Sequence, residues 1–197
     1  MKHLVLAGLA LSLSIVSTQP SRGNGWTVVP SSHNPGDAPI KITAMWSSAE
    51  DAPSRHALTL AVSEMVTFPP GASAIAAVSP IEGVKLTHLG FDHKVGTHCT
   101  NGSPRWDVET ADGSSYAFGC AAGIHEVDLP AAGWERVTFS CEDVQVLKGL
   151  YGSCPLGSPQ VVRVLQVIQD EAASTTLDNL DVNWNLLRPA QALQSAP

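Results

Sequence analysis

Residues 86–120 read LTHLGFDHKVGTHCTNGSPRWDVETADGSSYAFGC, and their pattern decides the fold. Trp106, Val108 and Thr110 alternate with Arg105, Asp107 and Glu109. A period of two marks a strand with one buried and one wet face, so the Arg105, Asp107, Glu109 row is expected to look outward. Ala111-Asp112-Gly113-Ser114 supplies turn chemistry, because Asp and Gly accept positive φ at little cost, and Ser115 to Phe118 return as the partner strand. Upstream, Leu89, Phe91, His93 and Val95 share one face while His88 and Asp92 share the other, and Asn101-Gly102 marks a second turn. The stretch predicts three consecutive antiparallel strands.

Pairing Thr110 with Ser115 across the turn would bring Cys120 opposite Arg105, where the Cys99 loop enters. Four cysteines permit three connectivities. Cys99 to Cys120 with Cys141 to Cys154 requires only local closure and is the pairing expected; buried free thiols are the alternative. Each loop would stabilise the fold by roughly 3 kcal/mol in the chain-entropy model.

Lys2, an apolar run from Leu4 to Val16 and then small residues give Met1 to Thr18 the layout of a secretory signal peptide. The run is too short for a spanning helix, and no later segment has the length of apolar sequence that a membrane span needs. The remaining chain of about 178 residues suits one domain. The net charge of -7 becomes -8 once Lys2 leaves, and no basic run remains to neutralise a phosphate backbone, so nucleic acid is a poor partner. Charged residues make up 15% of the chain against 16 glycines and 14 prolines, a balance that favours short strands and turns over long helices.

Residues 19–39 read as a loose N-terminal lead, with Trp26 to Val29 as a short strand docking on the sheet, and 40–187 as the β domain. Ile40 to Trp46 has strand character. Ala57 to Phe68 suits helix or strand, and the alternation of Leu58, Leu60 and Val62 favours strand. Ala72 to Val78 packs as a strand or a single helical turn. Ile124 to Leu129 is a short segment, Trp134 to Ser140 a strand, and Cys141 to Cys154 a loop tied by its cysteines. Val161 to Ile168 is nearly continuous in apolar residues, as in a strand buried on both sides. In the closing strand, Leu180, Val182, Trp184 and Leu186 share one face, and Trp184, like Trp106, is expected in the core. Residues 188–197 lack a pattern and read as a disordered tail.

Roughly eight to ten short strands separated by turns predict an all-β fold, a two-sheet antiparallel sandwich or jelly roll stapled by disulfides. The segment Leu177-Asp178-Asn179-Leu180-Asp181-Val182-Asn183, following Val161 to Gln169, resembles the closing strands of galactose-binding-like jelly-roll modules, including many carbohydrate-binding modules. The pieces SPRWDVET, FGCAAG and GWERVTFS are similar to a layout found in uncharacterised exported bacterial proteins. The resemblance implies a secreted, non-catalytic binding module for carbohydrate or another extracellular surface ligand. It also implies a possible structural calcium at Asp178, whose alternative role is a turn or ladder hydrogen bond.

Candidate binding residues are Arg105, Asp107 and Glu109 on the outward row, with Trp134 and Tyr151 as exposed platforms for sugar stacking. Arg105 could donate a fork of hydrogen bonds while the acids accept. Asp107 and Glu109 lie two residues apart, close enough for a glycosidase pair, which keeps a small extracellular hydrolase as an alternative; a purely structural surface protein is a third. His88, His93 and His98 recur every five residues, but an odd spacing sends successive histidines to opposite faces of a strand, against a zinc site. No Gly-x-Ser-x-Gly, His-Glu-x-x-His or phosphate loop is present, since His125-Glu126 lacks the second histidine.

Overall fold

The computed structural model describes residues 25–35, 40–63, 71–127, 129, 131–148 and 154–190. The signal-peptide reading and Tyr151 lie outside these residues. In chain order the strands are β1 (Thr27–His33), β2 (Ile42–Ser48), β3 (His56–Val62), β4 (Ser73–Ser79), β5 (Leu89–Lys94), β6 (Arg105–Thr110), β7 (Ser115–Gly119), β8 (Ile124–Glu126), β9 (Trp134–Thr138), β10 (Val144–Lys148), β11 (Val162–Gln169), β12 (Ser174–Val182), β13 (Asn185–Leu186) and β14 (Arg188–Pro189). They form two sheets, β10-β7-β6-β11-β4-β1-β14 and β2-β3-β12-β5-β9-β8, with β13 paired to β12. Among the described residues the one parallel pair is β1 with β14. This is the expected all-β, two-sheet antiparallel sandwich.

Its core is built from the inward residues of both sheets. Trp106, Val108, Tyr116, Phe118, Leu165 and Val167 from the first meet Leu58, Leu60, Leu89, Phe91, Val137 and Leu177 from the second. Phe139 links the layers edge-on, its ring centroid 5.4 Å from Phe91 and 6.0 Å from Phe118. The alternation read in residues 105–110 holds: Trp106, Val108 and Thr110 are buried and their neighbours half-buried.

Several expectations need correction. The hairpin register is one residue out: Glu109, not Thr110, faces Ser115, and Arg105 faces Gly119. Cys120 is instead bonded through its amide to the Pro104 carbonyl. The Cys141 to Cys154 segment contains the edge strand β10, which pairs with β7. Within the expected lead, β1 pairs with β4 along its whole length, and within the expected tail Arg188 and Pro189 pair with β1. β11 is not buried on both sides, because Arg163 is exposed and Val164 and Gln166 are half-exposed. β12 carries a bulge between Asp178 and Asp181, with Asn179 at φ 42°. The extra residue resets the alternation, so Asp178 and Asp181 both face away from the core.

Both expected disulfides are present, Cys99 to Cys120 and Cys141 to Cys154. The first ties the loop entering β6 to the end of β7. Replacing Cys99 and Cys120 together by serine should cost about 3 kcal/mol, the chain-entropy value for a loop of this length. Urea unfolding checks it; a loss below about 1 kcal/mol would show that the hairpin needs no clamp.

Candidate functional site

The outward row of β6 sits near the middle of the first sheet. Asp107 lies between Ala117 and Gln166, and Glu109 between Ser115 and Val164. Asp107, Glu109, Ser115, Val164 and Gln166, with Leu147 at the β10 edge, line a groove of about 180 Å³. Two of the five candidate binding residues, Asp107 and Glu109, therefore share one depression. Arg105 stands beside it, yet its guanidinium is already committed. Nε donates to Asp107 Oδ1 at 2.7 Å, and Nη1 donates to the Gly102 carbonyl and to Asp170 Oδ1, each at 2.7 Å. Arg105 is thus a brace between β6, the 100–103 loop and the end of β11, which corrects its reading as a free fork of donors.

Charge in the groove follows from that bracing. Burial pushes the Asp107 carboxyl above the ordinary carboxylate range, against the pull of Arg105. Burial works against the Arg105 cation too, but Asp170 and Asp107 outweigh it and hold its pKa above the ordinary value. Glu109 pairs with Arg163 of β11. Each groove carboxylate therefore carries its own arginine.

The other face of the molecule holds a second polar assembly. Arg136 of β9 donates Nη1 to Asp92 Oδ1 at 3.1 Å and to the Asn179 carbonyl at 2.9 Å, and Nη2 to Asp181 Oδ2 at 2.7 Å. Asn179 Nδ2 donates to the other oxygen of Asp92 at 2.8 Å. Gly90 makes room for this: a Cβ there would stand 3.0 Å from Arg136 Nη2 and 3.1 Å from the Val137 carbonyl. Burial raises the Asp92 pKa despite Asn179 and Arg136. Asp92 and Asn179 also line a cavity of about 700 Å³ whose rim carries Glu50 and Asp51.

Trp134 lies on this second sheet and is 2% exposed, packed with Ala52 and Ala57 and flanked by Leu129 and Ala131. It is not the exposed platform that its place after Gly133 suggested. The outer sheet face at that point is roofed by the 49–55 loop together with Leu129 and Ala131, a covering that alternation cannot reveal. Trp184 is the converse case. Expected in the core, it is 71% exposed, because the chain turns at Asn183 and Trp184, with φ of 54° and 64°.

Asp178 accepts from the Ser54 amide and hydroxyl and from the Asn179 amide. Its carboxylate is thereby used to pin the 49–55 loop to β12, the hydrogen-bonding role that stood as the alternative to a calcium ligand. Among the described residues, the one set of three His, Cys or acidic ligand atoms within 4.8 Å of one another is His93, Cys99 and Cys120, and both cysteines are in a disulfide. His93 is buried, with Nδ1 2.8 Å from Glu135 Oε1 and Nε2 3.0 Å from the Thr97 hydroxyl. His125 Nδ1 lies 3.1 Å from the other Glu135 oxygen. Burial would raise the Glu135 pKa, but the two histidines hold it below its ordinary value. His98 pairs with Glu171.

Gln166 and Leu147 are groove residues that the sequence reading missed. Gln166 is one of two polar interruptions in an apolar run, and that interruption was the available signal. Leu147 offered none.

No protein-family model matches the chain, and no curated relative matches it. Among solved structures, the chain is similar to the family 11 carbohydrate-binding module of a cellulosomal cellulase of Clostridium thermocellum, at a TM-score of 0.45 and 10% identity, over 80% of this chain and 86% of that one. The likeness is one of overall architecture. Among the described residues no helix is long and apolar enough to cross a membrane.

Proposed function

We propose that this protein is an exported, non-catalytic binding module for carbohydrate, and that the groove on the first sheet is its ligand site. The groove itself carries the reading: Asp107, Glu109, Ser115 and Gln166 offer acceptors and donors on one face, edged by the apolar Val164 and Leu147. Hydroxyl-rich rings need that mixture, with hydrogen bonds in their plane and apolar contact across it. The volume of about 180 Å³ is below the roughly 300 to 1,000 Å³ of clefts that engulf small molecules. Such a groove suits a ligand held from one side, such as a segment of a longer glycan. Two disulfides support an oxidising compartment. Arginine pairing of both groove carboxylates favours binding over glycosidase chemistry, which needs one carboxyl free to give up a proton and one free to attack or activate water.

The double variant Glu109→Ala, Gln166→Ala removes two hydrogen-bonding side chains without touching the Arg105 brace. It should weaken binding to the glycan identified on an array by about 1 to 3 kcal/mol, the cost of losing charged or buried hydrogen bonds, with the melting temperature little changed. Unchanged affinity on an unchanged fold would reduce the groove to ordinary surface.

A further inference from the structure

The tip of the β12–β13 hairpin is Asn183-Trp184, and both residues lie in the left-handed region without being glycine. Asparagine tolerates that conformation; tryptophan is ordinarily excluded from it by its Cβ, and hairpins place glycine at such a position. Residues held this way collect at sites where the conformation serves a ligand.

The surroundings keep the tip rigid. Asn183 Oδ1 accepts from the Thr87 and His88 amides at 2.6 and 3.3 Å, its Nδ2 donates to the Lys85 carbonyl at 2.7 Å, and its amide donates to the His88 carbonyl at 2.9 Å. The hairpin is thereby stapled to the chain entering β5. The Trp184 ring then stacks on His88, with centroids 3.6 Å apart and planes 11° from parallel. His88 is itself 5% exposed and rests 3.5 Å from Asp181, which Arg136 holds. One face of the indole is fixed by a buried ring on a braced network. With 71% of the residue still exposed, the other face is open.

We infer that Trp184 is a stacking platform for a pyranose ring and forms a second carbohydrate site, on the sheet opposite the groove. The choice of a sugar as occupant rests on the proposed carbohydrate function and on the scale of the surface. The neighbouring large apolar side chain exposed on this hairpin is Leu186, and the residues flanking Trp184 are asparagines. A stable protein interface buries about 1,200 Å² or more with an apolar centre, which one indole and one leucine do not supply. A single flat ring with one face open matches the apolar C–H face of one sugar ring.

Affinity electrophoresis of the mature protein through native gels containing hydroxyethylcellulose, xylan, galactomannan or amylopectin tests this. A retarding polysaccharide that spans both sites would bind through two linked contacts, so loss of either weakens the whole. Trp184→Ala should lower the apparent affinity by about tenfold or more, Trp184→Phe should recover part of it, and Trp184→Gly should melt at or above the wild-type temperature because glycine is at ease at this φ. Retardation unchanged in Trp184→Ala but lost in Glu109→Ala, Gln166→Ala would overturn the platform and leave the groove. The reverse would overturn the groove and leave the platform. A fall of several degrees in the melting temperature of Trp184→Gly would make Trp184 a structural buttress, and failure of every polysaccharide to retard the wild type would overturn both sites.

Discussion

Arg136→Met should lower the unfolding free energy by about 3 to 5 kcal/mol, the usual cost of removing one partner from a buried ion pair. The side chain is 15% exposed and its two partners 5% and 6%. Methionine fills the same space but leaves Asp92 and Asp181 facing each other across it with no cation between them. Asp181 has no spare capacity, since its Oδ1 is already buried without a partner. A pH series gives the sign. Asp92 is raised above its unfolded pKa even with Arg136 in place, so it lowers stability as pH rises through that window. Without the guanidinium its folded pKa rises further, and the deficit of the variant should shrink on acidification as the carboxyl takes up a proton. Urea unfolding at neutral and at acid pH measures both effects. A loss below about 1 kcal/mol at neutral pH, or one that does not shrink in acid, would show that the carboxylates are solvated and the network is ornamental.

Trp134→Ala should cost about 3 kcal/mol, at the low end for deletion of a buried tryptophan, since its cluster is small and adjoins an open cavity. The indole also supports Lys94, whose ammonium lies 5.9 Å from the ring centroid and pairs with Asp51 at 2.7 Å. Its loss should free the 49–55 loop, seen as faster amide exchange there. Under the proposed function, glycan affinity in the groove should not change. Weakened binding with unchanged stability would restore the exposed-platform reading of this residue.

Trp134 and Trp184 show where reading along the chain works and where it stops. The strand at 105–110, its inward and outward sets, the turn at 111–114 and the disulfide partners were legible, because each depends on neighbours in the chain or on a strand's period of two. Trp134 was placed correctly on a strand and wrongly in water, because its cover comes from a loop some eighty residues earlier. Trp184 was extrapolated along an alternation already broken by the bulge at Asn179, and the turn beyond it has no glycine to announce it. Of the groove, Asp107 and Glu109 were legible as a polar row, whereas Leu147 arrives from a strand hidden inside a presumed loop. Arg105 was legible as outward but not as braced, since its acceptors Asp170 and Gly102 belong to other segments.

The parallel pairing of β1 with β14, Thr27 beside Arg188, brings the first and last described strands side by side at one margin of the first sheet. The strand that floors the groove, β6, is four strands away from β14, roughly 19 Å at ordinary strand spacing. A tether attached at either end of the domain would leave from the same margin. The groove lies on strands remote from that margin, so a circular permutant joining those ends should keep the groove intact.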